Sequence, residues 1–113
     1  MRANLMLEQM RIAHLDGTIA KLRRALTRPQ VLILDDFGLG TITEAEKEDL
    51  FELLEARTNV GSTLITGQLS PSEWYNYLSM GHLADAIMGR ILQRSHSIEL
   101  KGKCLRPKAT LSN

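Results

Sequence analysis

The stretch VLILDDFG, residues 31–38, decides how the rest of the sequence is interpreted. Its first four residues form a continuous apolar run, without the alternation that marks a strand with one wet face. A short run of this kind predicts a central strand of a parallel sheet, covered on both faces. The run ends in two acids, Asp35 and Asp36. Because ligands bind beyond the carboxyl ends of strands in open α/β sheets, both acids are candidates for a site.

Helix and strand signals alternate on either side of this strand. Strand patterns are found at 62–66 and 96–101, the latter with one wet face, as at a sheet edge. The order α-α-β-α-β-α-α-β predicts an α/β fold, a parallel sheet with helices on its faces. Apolar residues at helical spacing predict helices at 4–15, 18–27, 43–57 and 83–94, and another opening at 70–73.

Two predicted helices begin with capping signals. Thr43 and Glu46 have the spacing of a capping box, in which the first side chain binds the third helical N–H. Ser70 and Glu73 repeat that spacing, with Pro71 at the first helical position. These pairs fix where the helices after each of the first two strands should begin.

The length and composition of the chain are those of one small domain. The chain has 113 residues, 43% of them apolar and 24% charged, as in ordinary soluble proteins. Its single cysteine, Cys104, excludes an internal disulfide, and no apolar run approaches the length of a membrane span. We therefore expect a cytoplasmic protein without a membrane partner. The domain should cover 1–106, followed by a loose tail at 107–113.

The net charge of +1 hides an uneven distribution of charge along the chain. Residues 1–30 carry a net +4, residues 31–85 carry −8, and residues 86–113 carry +5. Basic ends around an acidic middle are typical of contacts with phosphates at those ends, but also of ordinary solvated helix faces. Charge counts leave both interpretations open. The three histidines are far apart and have no metal-ligand spacing, so no metal site is expected there.

An apolar strand ending in two acids is the Walker B pattern. In that pattern the first acid, here Asp35, faces Mg²⁺ and the triphosphate, and the second, Asp36, polarises the attacking water. Taken alone, the two acids are more often residues that simply end a buried strand, because Asp is common there. The rest of the sequence separates these interpretations.

Four blocks of the sequence carry a family resemblance. They are LILDDFGL at 32–39, DLFELLEAR at 49–57, STLITGQLSPSEW at 62–74 and LADAIMGRILQRSHSIELKG at 83–102. Together they make the sequence similar to the IstB-like branch of the AAA-plus ATPases, the IstB/DnaC branch. The third block resembles that family's T-S-Q/N-L-P-x-x-x-W segment, and the fourth resembles its L-A-D-A-I-x-D-R-L/I segment. The resemblance covers about residues 5–108, and the order and spacing of the blocks are far more specific than any single motif.

The resemblance implies roles at matching positions. Asp35 would be the acid on the Mg²⁺ side, acting through water, and Asp36 would activate the hydrolytic water. Gln68 would occupy the sensor position, where an amide can contact the γ-phosphate or the water. Arg90 would reach toward the nucleotide of a neighbouring subunit, and Arg106 would be a basic residue of the closing segment. Without the family, Gln68 reads as a turn residue, Arg90 as part of a wet helix face and Arg106 as part of a frayed end.

The sequence also departs from that family's pattern. Gly67 replaces a usual serine, Gly89 replaces an aspartate, and Lys103-Cys104 replaces Glu-Ser. The 113 residues contain no G-x-x-x-x-G-K-S/T sequence, the Walker A loop whose backbone N–H groups hold phosphates. In the family, the Walker A strand lies between the strands predicted here at 62–66 and 96–101. We therefore expect a partial P-loop fold with a gap, filled by the last strand, by another chain, or not at all.

The resemblance implies a carboxyl-terminal portion of an IstB-like ATPase domain, a helper of transposition. Its cofactors would be ATP and Mg²⁺, and its partners DNA, a transposase, and copies of itself or intact homologous subunits. Without Walker A, we expect weak or absent nucleotide binding and little independent hydrolysis. One alternative is a DnaC-like helicase loader. Another is a non-enzymatic module that binds intact ATPase subunits through the face of Arg90.

Overall fold

The structure, a computed structural model, describes residues 1–92 and the backbone of residues 97–99 and 110–112. The predicted element order is confirmed, with bounds that differ by one or two residues at most ends. No helix in this described part is both long and apolar enough to cross a membrane. The elements are α1 (Ala3–Asp16), α2 (Ile19–Thr27), β1 (Val31–Leu34), α3 (Glu44–Arg57), β2 (Ser62–Ile65), α4 (Pro71–Tyr77), α5 (His82–Leu92), β3 (Ser97–Glu99) and β4 (Thr110–Ser112).

Both predicted capping boxes are present. The Thr43 hydroxyl accepts the Glu46 N–H at 3.1 Å, and the Glu46 carboxylate accepts the Thr43 N–H at 2.9 Å. Ser70 and Glu73 make the same reciprocal pair at the start of α4. Each box satisfies two N–H groups that a helix start leaves without partners, which fixes both starts at the predicted residues.

The central sheet is formed by β1 and β2, which run parallel with Val31 opposite Ser62 and Leu34 opposite Ile65. On the other side of β1, Met1 and Arg2 extend it by a short parallel bridge between Arg2 and Asp35. In the described residues, β3 and β4 form a separate antiparallel pair rather than joining this sheet. The single parallel sheet expected from the sequence is therefore corrected, and β4 was not predicted.

One face of the sheet packs on a continuous apolar core. Leu32 and Leu34 point into it from β1, and α1, α3 and α5 supply most of the remaining side chains. Met6, Met10 and Ala13 form the predicted buried stripe of α1. The buried core residues are Ala3, Met6, Leu7, Met10, Leu26, Leu32, Leu34, Phe37, Leu50, Leu53, Leu54, Leu78, Ala84, Ile87 and Met88.

The opposite face of the sheet is bare within the described residues, which corrects the prediction of helices on both faces. Val31 is 59% exposed, Ile33 45% and Leu64 53%. The reason is topological. The bridge at Arg2, β1 and β2 lie in chain order across the sheet, so both crossovers run in the same direction. Because parallel crossovers are right-handed, α1–α2 and α3 must lie on the same face.

A cluster of charged side chains joins the first three helices. Asp49 of α3 is buried, and its Oδ1 lies 2.9 Å from Nε2 of His14 and 3.0 Å from a terminal nitrogen of Arg23. Arg23 also reaches Glu52 at 2.8 Å. Two basic side chains thus surround a carboxylate that would be costly to bury alone.

The amino ends of both strands converge on one buried cation, Arg57, which is 1% exposed. Its guanidinium donates to the carbonyls of Pro29 and Ser62, each at 2.7 Å, and its Nε donates to the Thr63 hydroxyl at 2.9 Å. It also binds the carbonyls of Leu26 and Thr27 at the end of α2. Burial lowers the pKa of Arg57, yet a guanidinium stays charged at neutral pH.

Candidate functional site

Asp35 follows β1 directly, and hydrogen bonds hold its backbone on one side. Its N–H donates to the Met1 carbonyl, and its carbonyl accepts the Ala3 N–H, both at 2.8 Å. On the other side, the Thr66 hydroxyl donates a short hydrogen bond to its carboxylate. The side chain itself is exposed. Asp35 is therefore held in place by its neighbours while its carboxylate remains open to solvent.

Asp36 lies beside Asp35 in a left-handed backbone conformation, with φ of 54°. Its N–H lies 3.1 Å from the Asp35 carboxylate and 3.3 Å from the Thr66 hydroxyl oxygen. Its own carboxylate is 3.6 Å from Nε of Arg2. Non-glycine residues adopt this conformation at a cost, although Asp does so more readily than most, and such residues cluster at functional sites.

The surroundings of Asp35 favour its ionised form. The Thr66 hydroxyl is the largest cause that lowers the pKa of Asp35, and the Asp36 N–H, the Met1 ammonium and Arg2 add to it. These outweigh the opposing effect of burial. At neutral pH the edge therefore presents a carboxylate, an acceptor with free lone pairs toward solvent.

The ends of β1 and β2 approach each other closely. Thr66 donates its N–H to the Leu34 carbonyl at 2.9 Å, and the Phe37 N–H donates to the Thr66 carbonyl at 2.8 Å. A Cβ on Gly67 would lie 2.5 Å from the Phe37 carbonyl oxygen and 3.2 Å from the Trp74 ring. Glycine at this position, one of the departures from the resembled family, therefore has a local steric reason.

An aromatic cluster packs beside the turn that carries Asp35 and Asp36. Phe37 is buried and meets Trp74 and Tyr77 edge to face, with ring centroids 5.2 and 5.3 Å apart. Such pairs add stability beyond the area they bury. The turn that carries Asp35 and Asp36 is thus anchored to α4 by the residue that follows it.

The structure brings some predicted site residues together and separates others. Asp35 and Asp36 are adjacent, and Gln68 is exposed two residues beyond Thr66 at the same edge. Arg90 instead makes an ion pair with Glu55, near the end of α3 that leads to the amino ends of the strands. In this chain Arg90 is therefore remote from the two acids. Arg106 lies outside the described residues.

The donor set at this edge fits a hard divalent cation such as Mg²⁺. Two neighbouring carboxylates are present, and Mg²⁺ takes one or two carboxylates together with water and phosphate oxygens. No cluster of three or more His, Cys, Asp or Glu side chains with metal-binding geometry occurs in the part of the chain that the structure describes.

Two residues at this edge were not singled out from the sequence. Thr66 contacts both acids, and Arg2 lies close to Asp36. Thr66 belongs to the STLITGQLSPSEW block, and its place directly after a strand was the available signal. Arg2 gave no signal, because its contact depends on a bridge between residues 33 positions apart.

The family of this chain is identified by its similarity to known proteins. The sequence matches the family described as "IstB-like ATP binding protein" over residues 1–113, its full length. The chain belongs to this family. The structure agrees at a coarser level, because a small α/β domain with a two-stranded parallel sheet and five helices in its described part is compatible with an IstB-like P-loop fold.

Curated relatives carry consistent descriptions. An insertion sequence ATP-binding protein of Sinorhizobium fredii is 43% identical over 95 residues, which cover 84% of this chain and 39% of the relative. An ATP-binding protein in an insertion sequence of Mycobacterium tuberculosis is 32% identical over 108 residues, covering 95% and 43%. The IS1162 ATP-binding protein of Pseudomonas fluorescens is 42% identical over 72 residues, covering 64% and 31%. The chain thus spans about two fifths or less of the length of these relatives.

Proposed function

We propose that this chain supplies the acidic edge of an ATP site in an IstB-like transposition helper. The observation that carries the proposal is the pair Asp35 and Asp36, placed at the carboxyl end of β1 beside the end of β2 in a chain that matches this family throughout. Ligands of open α/β sheets bind at such an edge. The relatives' printed names support ATP as the ligand.

Asp35 would hold the Mg²⁺ side of the site, through a water molecule. The Thr66 hydroxyl fixes the orientation of its carboxylate and helps to keep it ionised. When bound, Mg²⁺ neutralises charge that develops on the phosphates. Asp36 would orient and polarise the water that attacks the γ-phosphorus. The Asp36 N–H donates to the Thr66 hydroxyl, and the Asp36 carboxylate lies 3.6 Å from Nε of Arg2. Because these contacts already position Asp36, little reorganisation is needed on binding.

The remaining residues would act around this pair. Gln68, exposed at the same edge, would contact the γ-phosphate or the water with its amide. Arg90, which is remote from the two acids within this chain, would serve the nucleotide of a neighbouring subunit. Arg106 would add a positive charge to the closing segment. DNA, a transposase and further ATPase subunits are the proposed partners.

A transposition helper is favoured over a DnaC-like helicase loader. The relatives from Sinorhizobium, Mycobacterium and Pseudomonas are each described as an ATP-binding protein of an insertion sequence. The same acidic edge would serve either function, and the choice rests on these relatives alone.

The test is an NMR titration of the full chain with Mg²⁺, followed by ATP in the presence of Mg²⁺. We expect weak binding, because these 113 residues contain no G-x-x-x-x-G-K-S/T sequence, but the amide signals of Asp35, Asp36 and Thr66 should move together. Asp35→Asn should abolish the Mg²⁺-dependent shifts. Glu48→Gln, at an exposed acid of α3, removes the same charge elsewhere and should leave them unchanged. Equal responses in both variants would refute the proposal.

A second candidate function, binding to intact ATPase subunits, is favoured by the bare face of the sheet. Ile33 and Leu64 are opposite each other in register and both exposed. Because Ser62 and Thr66 donate their N–H groups toward β1, the N–H groups of Thr63 and Ile65 face the other edge of β2, which has no partner strand among the described residues. An apolar face beside an open strand edge is suited to binding another polypeptide.

This candidate is tested by mixing the chain with the full-length Sinorhizobium fredii relative. Sedimentation should show a complex, and the ATPase rate of the relative should change. The double variant Ile33→Asp, Leu64→Asp should lose the complex, whereas Leu15→Asp, at an exposed position on α1, should keep it. Without a complex and with an unchanged rate, the candidate is removed.

A further inference from the structure

Three positively charged side chains in the described part of the molecule lack the partners that the others have. Lys21, Arg24 and Arg28 are exposed, and no carboxylate or other hydrogen-bond partner in residues 1–92 lies within reach of their side chains. The other lysines and arginines of residues 1–92 each contact a carboxylate or a carbonyl. These paired residues are Arg2, Arg11, Arg23, Lys47, Arg57 and Arg90.

The three unpaired side chains share one face of α2. Their spacing of three and then four residues brings them to the same side of a helix, and Arg28 keeps helical φ and ψ of −67° and −38° at its end. The opposite face of α2 carries Leu22 and Leu26, which pack on the core. We call the three residues the α2 stripe.

The helix dipole does not account for the α2 stripe. Cations stabilise the last turn of a helix, which suits Arg24 and Arg28. Lys21, however, lies in the first turn, where the dipole disfavours a positive charge and where α2 has no acid to offset it. The shared feature of the three positions is therefore the face and not the end of the helix.

We propose that the α2 stripe binds the phosphate backbone of DNA. This inference rests on the proposed function for the kind of partner and adds the surface that meets it. Seven residues of helix span about 10 Å. That length corresponds to roughly three nucleotide steps along one strand. Three free cations at this spacing can neutralise successive phosphates without reading the bases.

The chemistry of the stripe favours nucleic acid over an anionic membrane surface. Helices that lie on membranes combine basic residues with large apolar side chains on the face that enters the lipid. The exposed positions next to the stripe on α2 are Ala20 and Ala25, which offer almost no apolar area. The large apolar residues of α2 face the core instead.

The position of the stripe leaves the acidic edge free. Arg57 binds the carbonyls of Leu26 and Thr27, so the end of α2 lies beside the amino ends of the strands. Asp35 and Asp36 lie at the carboxyl ends. DNA on the stripe and nucleotide at the edge would therefore not compete, and their charges would not repel at short range.

The experiment measures binding of the full chain to a labelled DNA duplex by fluorescence anisotropy across a salt series. The triple variant Lys21→Gln, Arg24→Gln, Arg28→Gln should weaken binding. It should also reduce the slope of log K against log salt by about 2–3, which is roughly 0.9 for each phosphate that the stripe no longer neutralises. Arg11→Gln removes an exposed arginine that is paired with Glu8, and should change the slope little. Far-UV circular dichroism should show equal helix content in all variants.

Three results would overturn the inference. One is that the wild-type chain fails to bind duplex at low salt. Another is that the triple variant keeps the wild-type slope. The third is that phosphatidylserine vesicles bind the chain more tightly than DNA and the triple variant abolishes that binding. The proposed function fails separately, because Asp35→Asn should retain DNA binding and the triple variant should retain the Mg²⁺-dependent shifts.

Discussion

At the amino end of the β1–β2 sheet a charged group is buried, whereas at the carboxyl end two charged groups reach solvent. Arg57 is enclosed and donates only to groups of this chain. Asp35 is exposed and Asp36 half-buried. The Asp35 carboxylate accepts hydrogen bonds from the Thr66 hydroxyl and the Asp36 N–H, the Asp36 carboxylate lies 3.6 Å from Nε of Arg2, and both keep unused lone pairs. A charged group whose hydrogen bonds are all made within the protein has a structural role. A charged group that keeps unused lone pairs toward solvent is available to a ligand.

The two ends also differ in what they connect. Arg57 joins the end of α2, Pro29 in the link that leads to β1, and the start of β2, through carbonyls that lie 5 to 31 positions from Arg57 in the chain. The carboxyl end relies instead on the close approach of two strand ends around Gly67. Substitutions at the amino end should therefore destabilise the protein most. At the carboxyl end, loss of the acidic charges should be tolerated, whereas a side chain that forces the two strand ends apart should not.

Removing the Arg57 guanidinium should produce the largest loss of stability. Arg57→Met fills much of the volume but leaves four carbonyls without this donor, one of them buried and three partly buried. A buried group without a partner costs about 1–3 kcal/mol. We expect the free energy of unfolding to fall by about 3 kcal/mol or more, measured by urea denaturation. Arg57→Lys, which keeps the charge with fewer donors, should lose less.

Arg11→Met provides the matched control on the surface. Arg11 is exposed and its contact with Glu8 is 3.8 Å, so the change should stay within about 0.5 kcal/mol. If Arg57→Met proved as mild as Arg11→Met, the contrast between the two ends of the sheet would be lost.

At the carboxyl end, shape should matter more than charge. Gly67→Ala places a methyl group 2.5 Å from the Phe37 carbonyl oxygen, so the two strand ends must separate. We expect a loss of about 1–3 kcal/mol, measured as a lower midpoint in urea. Gly89→Ala tests the opposite case. Its Cβ would meet nothing within 4 Å, and alanine should stabilise α5 by about 0.5–1 kcal/mol. Equal effects at both glycines would contradict the close approach.

The sequence predicted the elements well because their signals are local. Capping boxes at Thr43 and Ser70 and the apolar run of β1 each lie within a few residues, and the structure has all three. The place of Asp35 and Asp36 at a strand end followed from the same local pattern. Their proposed roles came from the family resemblance, and the match over residues 1–113 confirms membership of that family.

What the sequence did not predict depends on distant contacts. Arg57 reads as an ordinary charged residue at a helix end until Pro29, 28 positions away, is seen to accept its hydrogen bond. Thr66 gained importance only through Asp35, 31 positions away. The second sheet face was mispredicted, because an apolar run shows that a strand can be covered on both faces, whereas residues 1–92 cover only one.

The smallest expected effect concerns Thr66, the hydroxyl that holds Asp35. Because the pKa of Asp35 is lowered in the folded chain, its ionisation favours folding above about pH 4, and that contribution is lost as the pH falls through the lowered pKa. Thr66→Val removes the largest cause of the shift. The pKa of Asp35 should therefore rise toward its usual range, and stability should depend less on pH in acid.

Carbon-13 NMR of the Asp35 carboxyl group, followed through an acid titration, measures this change directly. Thr27→Val is the control, because its hydroxyl bonds the Arg23 carbonyl in α2 and should leave Asp35 unaffected. An unchanged Asp35 titration in Thr66→Val would mean that the nearby positive charges, and not the hydroxyl, keep the carboxylate ionised. Arg2 would then be the residue that prepares this edge for a cation, and Arg2→Gln should raise the Asp35 pKa instead.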